Sequence, residues 1–232
     1  MSGGWKPFSW MASAVLLSLL WAVSSPAATR TWNGATTGDW FTSGNWVELA
    51  VPAAGDDVLI TAAGASCLLT NSTGYLGSLA LSRTLVFSNW NTTLLATNVT
   101  IQGGGVMTPP VAFTNNQMSN NVHIVCSNLT IDAGGSINVD VRGYSGGKVT
   151  GANGFGPGGT NGAGSYGGLG GGGDYGNRSS GGATYGLAAA PTEPGSGGYC
   201  GDGTYAPGGH GGGVVGIQAS GTVTVNGAIT AN

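Results

Sequence analysis

Charge is scarce in this chain. Six Lys and Arg stand against nine Asp and Glu in 232 residues, a formal net charge of −3, and charged residues make up only 6% of the sequence. No basic run exists, so the electrostatic attraction that nucleic-acid binding depends on is missing and nucleic acid is excluded as a partner. Histidine is scarcer still, with two residues, which leaves little from which to build a His-centred metal site or proton relay. The three cysteines, Cys67, Cys126 and Cys200, are too far apart for a zinc knuckle or a Cys-x-x-Cys redox pair. Cys67 and Cys126 lie in β-type apolar runs and read as small buried side chains. One pairing among the three in an oxidising compartment would leave a free thiol. Helical spacing is absent beyond the N-terminal stretch, so no later segment reads as a membrane-spanning helix.

Glycine is what the chain has in excess, at 47 residues. It fills more than a third of residues 143–213, against about 7% in ordinary proteins. At the other end, Lys6, the apolar stretch from Trp10 to Val23 and the small residues around Ser25-Pro26-Ala27 have the layout of a secretory leader cleaved near Ala27. The apolar stretch is shorter than the roughly 20 residues that span a bilayer. Five parts follow: a signal peptide over 1–27, a Trp-rich N-terminal cap over 28–60, β-structure over 61–142, a glycine-rich insert over 143–213, and returning strands over 214–232. These strands stop without a turn or polar cap, which reads as the N-terminal part of a longer protein. The expected address is secreted or at the cell surface.

Between Val58 and Asp140 short β-type runs alternate with turn formers. Predicted strands are Asp57–Ile60, Cys67–Thr70, Leu76–Leu81, Thr84–Phe87, Thr93–Ala96, Val99–Ile101, Val122–Cys126, Leu129–Ile131 and Ile137–Val141. Several alternate apolar and polar residues, as one buried face requires. A repeat is visible: Asn98-Val99-Thr100-Ile101-Gln102-Gly103-Gly104 returns as Asn128-Leu129-Thr130-Ile131-Asp132-Ala133-Gly134, and again, degenerate, as Gly221-Thr222-Val223-Thr224-Val225-Asn226-Gly227. One strand plus turns per repeat is the unit of a parallel β-solenoid, or β-helix. The fold class is therefore all-β, a parallel β-solenoid with a long glycine-rich insertion; a β-sandwich is the alternative.

Thr31-Trp32-Asn33-Gly34, Gly38-Asp39-Trp40, Gly44-Asn45-Trp46, Val51-Pro52 and Gly55-Asp56-Asp57-Val58-Leu59-Ile60 follow one another within about 30 residues. In order and spacing this block resembles the N-terminal signature of secreted bacterial proteins with autotransporter-associated β-strand repeats and their cell-surface relatives. The resemblance implies that the tryptophan block begins a β-solenoid. The glycine-rich segment, with Phe155, Tyr166, Tyr175, Tyr185 and Tyr199 recurring through it, resembles inserts in secreted β-helical proteins. Its aromatics are expected to pin glycine backbone against the β-structure, giving a partly ordered surface decoration.

No catalytic signature emerges. Gly162-Ala163-Gly164-Ser165-Tyr166-Gly167 lacks the flanking strand and helix of a dinucleotide site, and Gly146-Gly147-Lys148-Val149 lacks the hydroxyl that follows a phosphate-loop lysine. Gly172-Gly173-Asp174 and Gly201-Asp202-Gly203 do not repeat at the interval that stacks calcium carboxylates. The Asn-x-Ser/Thr triplets at Asn71, Asn91, Asn98, Asn128 and Asn177 follow from composition. Asp140 and Arg142 read as an exposed ion pair at a strand end, and neither His123 nor His210 has an acidic partner. Expected catalytic residues, metal ligands and cofactors are none. The first functional reading is a non-catalytic structural or adhesin-like surface module, whose partners are an extracellular polysaccharide or other surface proteins. The second is a carbohydrate-binding module that stacks sugars on Trp32, Trp40, Trp46 and Trp90. The third, a β-helical polysaccharide lyase or hydrolase, needs paired carboxylates that the sequence does not place together.

Overall fold

The period-two runs become strands that pair in parallel. The computed structural model describes residues 1, 27–62, 64–114, 120–149, 151–159, 162–166, 170, 181–187, 189–201 and 207–232. The predicted leader falls on residues outside this set, apart from its two ends. One sheet contains β1 (Thr29–Thr31), β3 (Asp57–Ile60), β5 (Leu76–Leu81), β7 (Thr93–Ile101), β9 (Asn121–Ile131) and β11 (Val214–Ala219), in that spatial order, with β12 (Val223–Val225) also on β9. The other contains β2 (Gly38–Asp39), β4 (Cys67–Leu69), β6 (Thr84–Phe87), β8 (Val106–Thr108), β10 (Ser136–Asn138) and β13 (Ala228–Thr230), again in chain order. Up to β10 the chain alternates between the sheets, and each strand lies beside the one two steps back. All ladders among the described residues are parallel. A sandwich of antiparallel sheets, the alternative from sequence, is not what these strands form.

The sequence repeat sets the register. Asn98-Val99-Thr100-Ile101 pairs residue for residue with Asn128-Leu129-Thr130-Ile131, and Val223-Thr224-Val225 pairs with Leu129-Thr130-Ile131. Every second side chain points inward. Val58, Ile60, Leu79, Leu81, Val99, Ile101, Leu129 and Ile131 are buried from the first sheet, and Leu69, Leu85, Phe87, Met107 and Ile137 from the second. Full burial of each such side chain is worth about 1.5–3 kcal/mol, and a slip of one residue would turn the whole set outward.

Two pairs of predicted strands run together. Thr93–Ala96 joins Val99–Ile101 in β7, and Val122–Cys126 joins Leu129–Ile131 in β9. In both, the buried alternation changes phase at a polar corner. Leu94 and Ala96 are buried, Thr97 and Asn98 are not, and Val99 and Ile101 are buried again. At that corner Asp57, Ser78, Asn98 and Asn128 form one column across four strands. Ser78 donates to Asp57 at 2.6 Å, Asn128 Nδ2 to Asn98 Oδ1 at 2.9 Å, and the Thr222 N–H to Asn128 Oδ1 at 3.0 Å. The predicted strand Ile137–Val141 is instead Ser136–Asn138, because Val141 adopts φ 50° and breaks the extended backbone.

On the side where the first sheet leads to the second, the turns are short. The repeat glycines explain why. Gly104 and Gly134 take φ 85° and 81°, a left-handed conformation that glycine adopts without steric cost. A Cβ on the next residue, Gly135, would lie 2.5 Å from the Ile101 carbonyl oxygen. The opposite connectors, from the second sheet back to the first, vary widely. They cover residues 40–56, 70–75, 88–92, 109–120 and 139–213.

The glycine-rich stretch is the last of these, so strands before and after it belong to the same sheets. Its described residues pack backbone on backbone. The Tyr144 N–H donates to Gly195 O at 3.0 Å, Gly195 to Gly212 at 2.9 Å, and Gly211 back to Tyr144 at 2.9 Å. Gly147 bonds to Gly198 at 2.9 Å, Gly198 to Gly209 at 2.8 Å, and Gly208 back to Gly147 at 2.9 Å. The bonds close triangles between three chain lengths instead of running in a flat ladder. Without side chains in the way, extended glycine backbone can be approached from several directions at once. Rings hold the margins: Tyr166 meets Tyr185 edge-on at 4.9 Å and Phe113 tilts on Tyr144 at 4.7 Å. Burial pushes the Tyr185 phenol up to about 12, and that hydroxyl donates to Pro194 O while Ser196 Oγ donates to it. Asn120, fully buried, ties the neighbouring connector in through its side-chain amide, which donates to Pro110 O, Val111 O and Arg142 O.

Candidate functional site

The four tryptophans proposed as a sugar platform part company. Trp32, Trp40 and Trp46 are 0% exposed. Trp46 stands between the other two, edge-on to both, with ring centroids 5.3 Å from Trp32 and 5.0 Å from Trp40. Its indole N–H donates to Trp40 O at 2.7 Å, while that of Trp32 reaches Ala65 O at 3.4 Å. The Trp40 indole N–H has no acceptor among the described residues. The three rings complete the apolar core at the β1 and β2 end and offer no face to a ligand, which removes them from the proposed platform. Turn chemistry delivers them there: Asp39 Oδ1 accepts from the Phe41 N–H at 2.9 Å, and Asn45 Nδ2 donates to Asp39 O at 2.8 Å.

A carboxylate that sequence reading passed over closes the same end. Asp56 is 3% exposed. It accepts from Arg30 Nε at 2.9 Å, from the Ala28 N–H at 2.9 Å and from the Ala53 N–H at 3.0 Å. Burial works to raise its pKa, but the Ala53 and Ala28 amides and the Arg30 guanidinium outweigh it and hold the carboxyl below the usual range. The signal in sequence was one acidic residue next to a predicted strand start; its partners, 26 and 28 positions earlier, carried none.

Trp90 alone of the four remains available. It is only partly buried and sits on the connector between β6 and β7, next to the connector between β4 and β5. The two connectors line an open cleft of about 400 Å³, bounded by Thr70, Asn71, Asn89, Trp90, Asn91 and Thr92. Asn89 Nδ2 donates to Thr70 O and Asn121 Nδ2 to Trp90 O, which sets the two connectors against each other and against β9. Ser72 Oγ donates to Asn91 O at 3.2 Å and accepts from the Thr93 N–H at 3.0 Å. Thr92 is 1% exposed, and its hydroxyl has no partner among the described residues. The adjacent connectors on either side, residues 40–56 and 109–120, are longer in sequence. Sequence reading singled out Trp90 but not its setting. The available signal was the run Asn89-Trp90-Asn91, echoed by Asn71 one connector earlier.

The polar residues weighed for catalysis lie on separate elements. His123, in β9, faces Thr93 Oγ1 at 3.0 Å and Gln218 Nε2 at 3.3 Å. His210 accepts from the Gly146 N–H at 2.9 Å. Asp132 is in the turn after β9. The expected Asp140–Arg142 ion pair does not form among the described residues, whose one salt bridge is Arg30–Asp56; Asp140 accepts from the Asn232 N–H at 2.6 Å instead. The backbone turn at Val141 sends the two side chains apart, where an extended strand would have aligned them. Cys67 and Cys126 are buried free thiols, pushed up by burial, and Cys200 is also buried. The Gly/Asp turns at Asp174 and Asp202 lie outside the described residues, and no cluster of potential metal ligands occurs among those described. No described helix is long and apolar enough to cross a membrane. No family model, curated protein or solved structure matches this chain.

Proposed function

We propose that the chain is an exported, non-catalytic structural module of adhesin-like type, built as a β-solenoid and displayed at a cell surface. The observation that carries this reading is the register. Asp57, Ser78, Asn98 and Asn128 occupy equivalent places on successive parallel strands, which is how a chain winding through repeated coils stacks on itself. Each coil buries its apolar residues against the next, so the stack resists bending and its connectors become the contact surface. The tryptophan plug supports the same reading: it covers the core at the first coil, where a solenoid would otherwise expose it. The resemblance of the tryptophan block to secreted bacterial surface proteins, and the leader-like N-terminus, support export.

Expression of the full chain in a bacterial host tests the proposal. The expected product starts at or near Ala28, by N-terminal sequencing, and is digested by protease added to intact cells. A chain retaining Met1 and recovered from the cytosol would refute export. Solution scattering that fits a sphere better than an elongated body would refute the rod.

A further inference from the structure

We propose that the cleft around Trp90 is a binding site for a neutral glycan. The inference deepens the surface-module reading by naming the chemistry of its partner, and relies on that reading only for bringing glycan and protein together. No charged side chain lines the cleft among the described residues, so an anionic ligand such as a phosphate or uronate would find no counter-charge in that lining. The lining is instead three carboxamides, two hydroxyls and one indole. An amide side chain offers donors and an acceptor in a fixed plane, which suits neighbouring sugar hydroxyls. The flat indole suits the C–H face of a pyranose, and its N–H keeps a polar edge.

The Thr70 hydroxyl donates to Asp39 Oδ1 at 2.9 Å and Asn89 Nδ2 to Thr70 O, which leaves Asn71, Trp90 and Asn91 to act. Among the described residues no hydrogen bond engages the Asn91 side chain or the Trp90 indole N–H. The Asn71 amide uses only Oδ1, which accepts from the Ser72 N–H at 2.8 Å, and leaves Nδ2 free. Thr92 adds a buried hydroxyl that has no partner among the described residues. Asn71 and Asn91 belong to adjacent connectors, joined through Ser72 Oγ and Asn91 O. Connectors on neighbouring strands are about 4.8 Å apart, close to the rise of one residue in an extended β-linked glycan. The cleft is open and its volume, about 400 Å³, suits one or two sugar rings at the lower end of ligand-site sizes. A chain passing through is therefore the expected ligand form.

Titration of the purified protein with three neutral probes tests this: a β-1,4-linked glucose tetramer, a β-1,4-linked N-acetylglucosamine tetramer and an α-linked mannose trimer. Binding of at least one is expected by calorimetry, with a blue shift of tryptophan emission, since Trp90 is the one partly exposed ring of the four. Trp90→Ala should weaken binding by at least about tenfold, while Trp90→Phe, which keeps a flat ring, should stay within about threefold. Asn91→Ala should cost about fivefold, as loss of one or two hydrogen bonds would. If Trp90→Ala does not fold by circular dichroism, Asn91→Ala decides. Failure of all three probes, or a best probe that binds the Trp90 and Asn91 variants as tightly as the parent, would overturn the proposal. Either result is read in solution and leaves the export and rod tests standing by themselves.

Discussion

Gly146→Ala should unfold the glycine-rich layers, whereas Gly209→Ala, 63 positions later along the same stretch, should not. A Cβ at Gly146 would sit 1.9 Å from the Gly208 carbonyl oxygen, and at Gly209 it would meet nothing within 4 Å. Real Cβ atoms stay beyond about 3 Å of such an oxygen, so the chain lengths at 146 and 208 would have to separate by about 1 Å. That movement strains the Gly147–Gly198 and Gly208–Gly147 bonds, both 2.9 Å, and the Gly146–His210 bond, also 2.9 Å. With about 1 kcal/mol net for each of the three bonds and a further 1–3 kcal/mol for overpacking, the cost is about 4–6 kcal/mol. Gly209→Ala, by contrast, restricts the unfolded chain and should be neutral or stabilising by up to about 1 kcal/mol. Hydrogen exchange read by mass spectrometry is the suitable assay, because the layers can open locally while the sheets stay closed. Peptides from 143–149 and 194–201 should lose protection in Gly146→Ala and keep it in Gly209→Ala. Equal protection in both variants would mean that the stretch is not packed as described, and the reasoning would fail.

Other consequences are more local. Asp56→Asn should destabilise by about 1.5–3 kcal/mol, the range for hydrogen bonds to a charged group. Because the folded carboxyl is held low, its stabilisation is present above the unfolded value, near pH 4, and is lost as pH falls through the lower folded value; thermal melts between pH 5 and 2 should show this slope in the parent and a weaker one in the variant. Trp46→Ala removes the ring between Trp32 and Trp40 and should cost about 3–5 kcal/mol in urea unfolding. Val141 occupies a left-handed conformation at φ 50° on the surface, so Val141→Asn should stabilise by about 0.5–1 kcal/mol, read as a raised melting temperature. Cys67, fully buried with its thiol pushed up by burial, should react with a soluble disulfide reagent only after denaturant is added; prompt labelling of Cys67 in the native protein would contradict the packing.

What could be read from sequence followed side-chain pattern. Strands Asp57–Ile60, Leu76–Leu81 and Thr84–Phe87 are short β-type runs bounded by turn formers, and their predicted and observed bounds agree. The repeat at Asn98 and Asn128 carried the register with it, because the two parallel strands that hold it pair like residue with like. Val106–Thr108 was missed: three residues after Gly103-Gly104-Gly105 are too few to show a period. Thr29–Thr31 and Gly38–Asp39 were hidden in the same way inside a turn-rich block. The bonded triangles of the glycine stretch left no trace in sequence, since packing that depends on absent side chains has no periodic signature. The Trp-rich block over 28–60 was legible as a cap, and Trp32, Trp40 and Trp46 are buried there; which individual rings are buried is not written in the sequence, since a buried and an exposed tryptophan have the same letter. Only the polar neighbours Asn89 and Asn91 set Trp90 apart.

The unequal connectors give the molecule a side that accepts change and a side that does not. Where the first sheet leads into the second, a side chain at Gly135 would strike the Ile101 carbonyl, so that turn has no room for one. Where the second sheet returns to the first, the same fold carries connectors of a few residues and one of more than seventy. An engineer grafting a peptide or a recognition loop would therefore cut at Ser72 or between Pro110 and Asn120, never at 103–105 or 133–135. The long glycine layers are a natural instance of such a graft: new surface added from one flank, with no strand elsewhere asked to move.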